Sequence, residues 1–270
     1  MGIEQRIGKS RINILGPCSA RERGQVVDVA EALLKEGVHI ERACLWKPRT
    51  RPGGFEGVGV AGIPWLAEVT NMGITIATEV MEPGHVTDLM QGLQSNGGDQ
   101  RNAIMWFGSR KQDHRVQRAI AKRMLEETPN EVKLLIKNQP WFSKEHWEGI
   151  VEHVIAAGFP NDRIILCHRG FAPGKNEPNP QGFRNLPDFQ TAIEVKNATN
   201  LPMIIDASHI GGTREKVLAV LSQAPHWAFD GVMIEVDSEP EKALTDKSQQ
   251  LSIADIQTIL RLSDPRNEYV

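Results

Sequence analysis

The chain is poor in the features that would place it outside a reducing, aqueous compartment. It has three cysteines, Cys18, Cys44 and Cys167, scattered and odd in number. That argues against a disulfide framework and for a cytoplasmic setting. No apolar run approaches the ~20 residues that a membrane span needs. Residues Met1 to Arg11 are polar and lack the apolar centre of a signal peptide. An excess of positive charge is also missing: the formal net charge is -3. General nucleic-acid binding is therefore not expected, and any anion site must be a local cluster. The stretch Gly53-Gly54-Phe55-Glu56-Gly57-Val58-Gly59 contains G-x-G but does not open a helix after a strand, so it is no nucleotide fingerprint. Neither a composition shift nor a sequence repeat divides the 270 residues, so one large domain is expected rather than two small ones.

What the chain does have is a regular succession of short, β-branched apolar runs. They are Ile12-Leu15, Ile40-Trp46, Ile74-Thr78, Ala103-Phe107, Val132-Ile136, Ile164-Cys167, Met203-Ile205 and Val232-Val236. Their spacing of about 30 residues is that of one βα unit. The runs are continuous rather than alternating, as in parallel strands buried on both faces. Helical patterns lie between them, such as Val26-Val29-Ala30-Leu33-Leu34 with Gly37 as its C-terminal stop. Such a repeated alternation predicts a single (β/α)8 barrel over residues 1–270, with residues 1–11 as an extension and 264–270 as a tail. Phe171 to Pro187 carries four prolines between strand and helix. At that length it reads as a binding loop or lid.

In a barrel the chemistry sits at the C-terminal ends of the strands. Polar groups stand at each predicted end: Cys18-Ser19, Lys47-Pro48-Arg49-Thr50, Glu79, Ser109-Arg110, Lys137-Asn138, His168-Arg169, Asp206 to His209, and Glu235 with Asp237. Two sets separate by chemistry. Arg42, Lys47, Arg49, Arg110, Lys137 and Arg169 are cations that would repel at one mouth unless polyanions occupy it. Two phosphates and a carboxylate would balance them, held by planar guanidinium forks and compact ammonium charges. Arg42 and Lys47 are five positions apart, so a regular strand would send them to opposite faces. Both reach one pocket only if the strand end is distorted. The second set is Cys18, His209, Glu235 and Asp246. Mixed S, N and O donors suit Mn, Fe, Co or Zn better than Mg or Ca. Spacing alone leaves open a buried Cys18 and a hydrogen-bonded core His209.

Taken together, G-P-C-S at 16–19, K-P-R-T at 47–50 with F-x-G-x-G at 55–59, T-E-V at 78–80, D-A-S-H at 206–209 and G-V-M-I-E-V at 231–236 resemble a known family. It is the 3-deoxy-D-arabino-heptulosonate 7-phosphate (DAHP) synthases, in the short subgroup related to 3-deoxy-D-manno-octulosonate 8-phosphate (KDO8P) synthases. The likeness covers Ile12 to Leu260. It implies a (β/α)8 barrel that condenses phosphoenolpyruvate with erythrose 4-phosphate, in the first step of the shikimate pathway. It implies a divalent metal on Cys18, His209, Glu235 and Asp246, and phosphoenolpyruvate on Arg42, Lys47, Arg110, Lys137 and Arg169, with Ser109 beside Arg110. Pro48, Arg49 and Thr50 would hold the aldose phosphate. Lys47 would donate a proton, and Glu79 or His209 would assist the attacking water.

The sequence departs from the family pattern at Ser109, at His168 where Glu is common, and at Asp237 where the subgroup often has His. Two alternatives stand beside this reading. One is a KDO8P synthase using arabinose 5-phosphate, although that type carries K-A-N where this chain has Lys47-Pro48-Arg49. The other is a catalytically silent barrel that binds sugar phosphates or a partner. The likeness also implies a homo-oligomer, dimer or tetramer, while the charge and the short apolar runs lead us to expect no nucleic-acid or membrane partner. The charged, proline-containing ending from Asp264 reads as the start of a linker, as in relatives fused to or associated with a chorismate mutase.

Overall fold

The structure is a computed structural model that describes residues 11–49 and 52–266. Its parallel strands are β1 (Ile12–Gly16), β2 (Ile40–Arg42), β3 (Thr75–Glu79), β4 (Ala103–Phe107), β5 (Lys133–Lys137), β6 (Ile164–His168), β7 (Met203–Asp206) and β8 (Gly231–Asp237). Each pairs with its successor, and β8 closes on β1 with Ile12 opposite Gly231 and Gly16 opposite Glu235. The helices are α1 (Arg23–Lys35), α2 (Ile63–Asn71), α3 (Pro83–Ser95), α4 (His114–Glu127), α5 (Lys144–Ala156), α6 (Phe189–Thr199), α7 (Ala207–Gly211), α8 (Arg214–Gln223) and α9 (Ile256–Ser263). A short strand β9 (Leu251–Ser252) adds to the end of β8, Leu251 opposite Val236. This is the (β/α)8 barrel that the run spacing predicts. Among the described residues, no helix is long and apolar enough to cross a membrane.

The continuous apolar runs make sense once both faces of each strand are counted. Along β4, Ile104 and Trp106 join the inner core with Ile14, Leu135, Ile165 and Met233. Ala103, Met105 and Phe107 instead face the helices in the outer core. Helix starts near the mouth are set by short polar side chains. Asp113, Ser143 and Asp188 accept backbone N–H bonds in the first turns of α4, α5 and α6. Helix α1 ends as Gly37 predicts: its φ is 71°, and the Val38 amide bonds back to the Leu33 carbonyl.

The second strand differs from expectation. Regular pairing stops at Arg42 instead of running to Trp46, so Cys44 lies beyond the strand, though it is fully buried. Past that point the backbone bonds to separate partners: Ala43 N–H to Ala77 O, Leu45 N–H to Thr78 Oγ1, and Lys47 N–H to Glu56 O. Gly57, at φ 100°, lets the following loop lie on this segment, since a Cβ there would run into the Leu45 carbonyl. The distortion thus begins at Ala43, well before Pro48. It is what allows Arg42 and Lys47 to reach the same cavity. Gly16, at φ 143°, plays the equivalent part at the end of β1, where a Cβ would meet the Arg42 carbonyl oxygen.

The 171–187 segment is closed at its base by a two-way backbone pair between Phe171 and Leu186, at 3.1 and 2.7 Å. Its stretch 172–178 is exposed, while Phe183 and Asn185 are buried.

Candidate active site

The C-terminal ends of the strands enclose a cavity of about 290 Å3 lined by Arg42, Lys47, Glu79, Ser109, Arg110, Lys137, Arg169, His209 and Asp246. All of these were expected from the sequence. Pro48 and Arg49 lie outside its wall, and the Arg49 Nε donates to the Phe55 carbonyl at 2.6 Å. Thr50 lies outside the described residues. A larger cavity, about 550 Å3, opens at the opposite end of the barrel between Glu36–Ile40 and Leu260–Arg266. The mouth is the better candidate despite its smaller size, because titratable groups from several strands converge there.

One side of the cavity is cationic. Arg42 is buried and bonds through Nε to Pro17 O, at 3.3 Å, and through Nη2 to Cys18 O, at 3.4 Å. Its Nη2 is also 3.2 Å from Glu235 Oε1, while its Nη1 is buried with no hydrogen-bond partner among the described residues. The Arg42 guanidinium and the Lys137 ammonium each lie 5.3 Å from the centroid of Trp106, whose ring attracts both and offsets part of their repulsion. Arg169 donates to Asn185 Oδ1 at 2.9 Å. Burial pushes its guanidinium down to about 10, and Arg184 and Arg110 add to the effect against Asp206. A cation held this far below its ordinary range is one that an anion would stabilise.

The other side, where His209 and Asp246 line the cavity with Cys18 and Glu235 outside its wall, collects metal-capable donors. One ligand atom each from Cys18, Glu235 and Asp246 lie within 4.8 Å of one another. The Cys18 Sγ is 3.5 Å from Asp246 Oδ2 and 3.2 Å from Lys47 Nζ. His209 stands beside this trio, its Nε2 3.7 Å from Glu235 Oε1 and 3.9 Å from Asp246 Oδ2. The four residues picked from the sequence are therefore neighbours, with the imidazole slightly apart. Burial, then the Glu235 carboxylate, pushes the Cys18 thiol well up, against Lys47. Burial also holds His209 below its usual value. Asp246 sits below the carboxylate range because His209, Arg184 and Lys47 outweigh its burial. Its backbone is left-handed, at φ 48°, an uncommon conformation for a residue other than glycine.

These donors fit a divalent ion. They supply one sulfur, one imidazole nitrogen and two carboxylates, a mixed set that suits Mn, Fe, Co or Zn. Glu235 Oε1 is buried without a hydrogen bond among the described residues, and the cation that already faces it is the Arg42 guanidinium, 3.2 Å away.

Other residues at the mouth carry weight that the sequence reading did not assign. Asp206, at the end of β7, caps α7 by accepting the His209 N–H, and its Oδ2 is 2.9 Å from His209 Nδ1. It could have been found from the D-A-S-H spacing, since an i,i+3 carboxylate on one turn reaches the histidine. Arg184, on the 171–187 segment, lies 2.9 Å from Asp246 Oδ1 and also lines the cavity. Asp237 is fully buried, with Arg21 Nη1 at 2.9 and 2.8 Å from its two oxygens and Gln25 Nε2 at 2.6 Å.

A closed parallel barrel whose polar strand ends surround one cavity is a scaffold built for small anionic ligands. The chain belongs to the DAHP synthetase I family, which it matches over residues 3–270. It is 28% identical over 248 residues to a phospho-2-dehydro-3-deoxyheptonate aldolase of Thermotoga maritima, covering 91% of this chain and 67% of the relative. It is 25% identical over 283 residues to a 2-dehydro-3-deoxyphosphooctonate aldolase of Geotalea daltonii, covering 95% and 93%. The crystal structure of the Thermotoga maritima DAHP synthase superposes with a TM-score of 0.80 over 96% of this chain and 70% of that one, at 24% identity. A truncated form of the Thermotoga enzyme gives 0.75 at 25% identity, covering 93% and 85%.

Proposed function

We propose that the chain is a DAHP synthase, joining phosphoenolpyruvate to erythrose 4-phosphate and releasing inorganic phosphate at the entry to the shikimate pathway. The observation that supports this best is a single cavity with five expected cations, Arg42, Lys47, Arg110, Lys137 and Arg169, facing His209 and Asp246 of the metal-capable group. Those cations suit two phosphates and a carboxylate, and they bring both substrates into reacting geometry. C3 of phosphoenolpyruvate attacks the aldehyde carbon. A divalent ion on Cys18, His209, Glu235 and Asp246, of the Mn, Fe, Co or Zn kind, would supply Lewis-acid polarisation of that aldehyde.

Lys47 donates the proton that the new alkoxide takes up. Its Nζ is 3.1 Å from the Cys18 carbonyl oxygen and 3.2 Å from Cys18 Sγ. Water then adds at C2, with Glu79 accepting its proton, and the hemiketal phosphate collapses to release phosphate. Arg110 and Arg169 hold charge on the departing group.

The relatives named as phosphooctonate aldolases support a second reading, a KDO8P synthase acting on arabinose 5-phosphate. Arg49 in the K-P-R-T turn favours the shorter aldose. Phosphate release measured with each aldose phosphate across several divalent metals tests the assignment. Turnover with erythrose 4-phosphate is expected. Preference for arabinose 5-phosphate would reverse the assignment, and no release with either aldose would return the silent barrel.

A further inference from the structure

Two adjacent glutamines, Gln249 and Gln250, are 0% and 1% exposed and send their amides to different parts of the metal-capable group. Gln249 Nε2 donates to Glu235 Oε2 at 2.8 Å, and its Oε1 accepts from Arg184 Nη1 at 2.7 Å. Gln250 Oε1 accepts the Cys18 backbone N–H at 3.2 Å, and its Nε2 donates to the Thr245 carbonyl at 2.9 Å. Both amide orientations are dictated by their partners, since a carboxylate or carbonyl can only accept and an arginine or backbone N–H can only donate. The pair lies between the left-handed Asp246 and β9, whose Leu251 is locked onto Val236. One short stretch therefore touches Cys18, Glu235 and, through Arg184, Asp246.

We propose that Gln249 and Gln250 are positioning residues that preset the metal site. Gln249 ties down one oxygen of Glu235 and leaves the other, Oε1, without a hydrogen bond and facing Arg42 Nη2 at 3.2 Å and His209 Nε2 at 3.7 Å. Gln250 fixes the backbone that carries the Cys18 thiol. The inference rests on reading Cys18, His209, Glu235 and Asp246 as a divalent-metal site. Partners that orient ligands in this way typically control metal affinity by 10- to 100-fold.

Cobalt(II) titration of chelator-treated protein, followed by the thiolate-to-cobalt absorption band, separates the claims. Wild type is expected to bind cobalt with that band, and Cys18→Ala to lose the band. Gln249→Met and Gln250→Met should each weaken cobalt binding by roughly 10- to 100-fold, with the band recovered at saturation. Gln100→Met, which removes an amide bonded to the Met90 carbonyl, should bind as wild type does. Should Gln249→Met fail to fold, Gln249→Glu keeps the shape and still removes the donor to Glu235. Wild-type affinity in the Gln249 and Gln250 variants overturns the positioning role while leaving the metal site standing. Absence of the band in wild type overturns the metal reading and this inference with it.

Discussion

The ammonium nitrogen of Lys137 lies 2.6 Å from Oδ2 of Asp206, and the two side chains are 6% and 0% exposed. The same oxygen is 2.9 Å from His209 Nδ1. One carboxylate thus joins the cationic wall to the metal-capable side. Asp206→Asn should leave the Lys137 charge buried without its partner. Breaking a buried pair from one side costs roughly 3–5 kcal/mol. Urea denaturation should show a loss of that order, and turnover should fall with it. An unchanged midpoint would mean that the pair contributes nothing.

Cys18→Ala tests the metal-capable group more directly. The residue is fully buried and the change removes only a thiol, so stability should fall by about 0.5–3 kcal/mol while the fold is kept. Phosphate release should disappear with every divalent ion tried. Full turnover by the variant in chelator-treated buffer would end the case for a metal role.

His168 sets an acid limit on stability. It is fully buried on the helix side of β6, among the rings of Trp147, Phe171 and Phe189. Neither ring nitrogen has a hydrogen-bond partner among the described residues. Burial, with Arg169, pushes the imidazole down to about 3, against Asp206. An unfolded histidine takes up its proton near 6.5. Below that pH the unfolded chain binds a proton that the folded one refuses, so stability is lost as pH falls from about 6.5 toward 3, by up to roughly 4–5 kcal/mol. His168→Leu should flatten this part of the stability curve and change little at neutral pH. A curve as steep as wild type would refute the assignment.

Glu41 sets the opposite limit. It is 1% exposed, on the outward face of β2, and neither carboxylate oxygen has a partner among the described residues. Burial raises its carboxyl well above the ordinary value. The folded chain therefore keeps a proton that the unfolded chain releases. This group's contribution is most favourable below the ordinary glutamate pKa and is lost as pH rises toward the elevated folded value. Glu41→Leu should stabilise the protein at neutral pH by about 1–3 kcal/mol, with a smaller gain at pH 4. A gain independent of pH would show that the carboxyl is not the cause.

The barrel and most of its mouth were legible because the signals are local. Ile104 to Phe107 reads as a strand buried on both sides, and Arg110 and Lys137 stand at or just past their strand ends. The mixed donors Cys18, His209, Glu235 and Asp246 could be grouped by chemistry before any contact was known. Arg184, Gln249 and Gln250 could not, because their places depend on how two long loops return to the mouth. Asp206 was visible within D-A-S-H, but its service to both Lys137 and His209 is a property of packed neighbours. The early end of β2 was hidden because Ala43 to Trp46 is apolar enough to continue a strand. What stops it is competition from Glu56 and Gly59 for its backbone.

The Phe171–Leu186 pair has a consequence for how the family's chains can vary in length. Because its two hydrogen bonds join the loop's stem, the stem and not the contour of the tip determines where Asn185 stands. The exposed stretch 172–178 can then gain or lose residues without dragging Arg169's partner out of the mouth. Reach over the cavity and grip on the cation are separately adjustable, so the loop can be rebuilt while the cationic wall beneath it stays as it is.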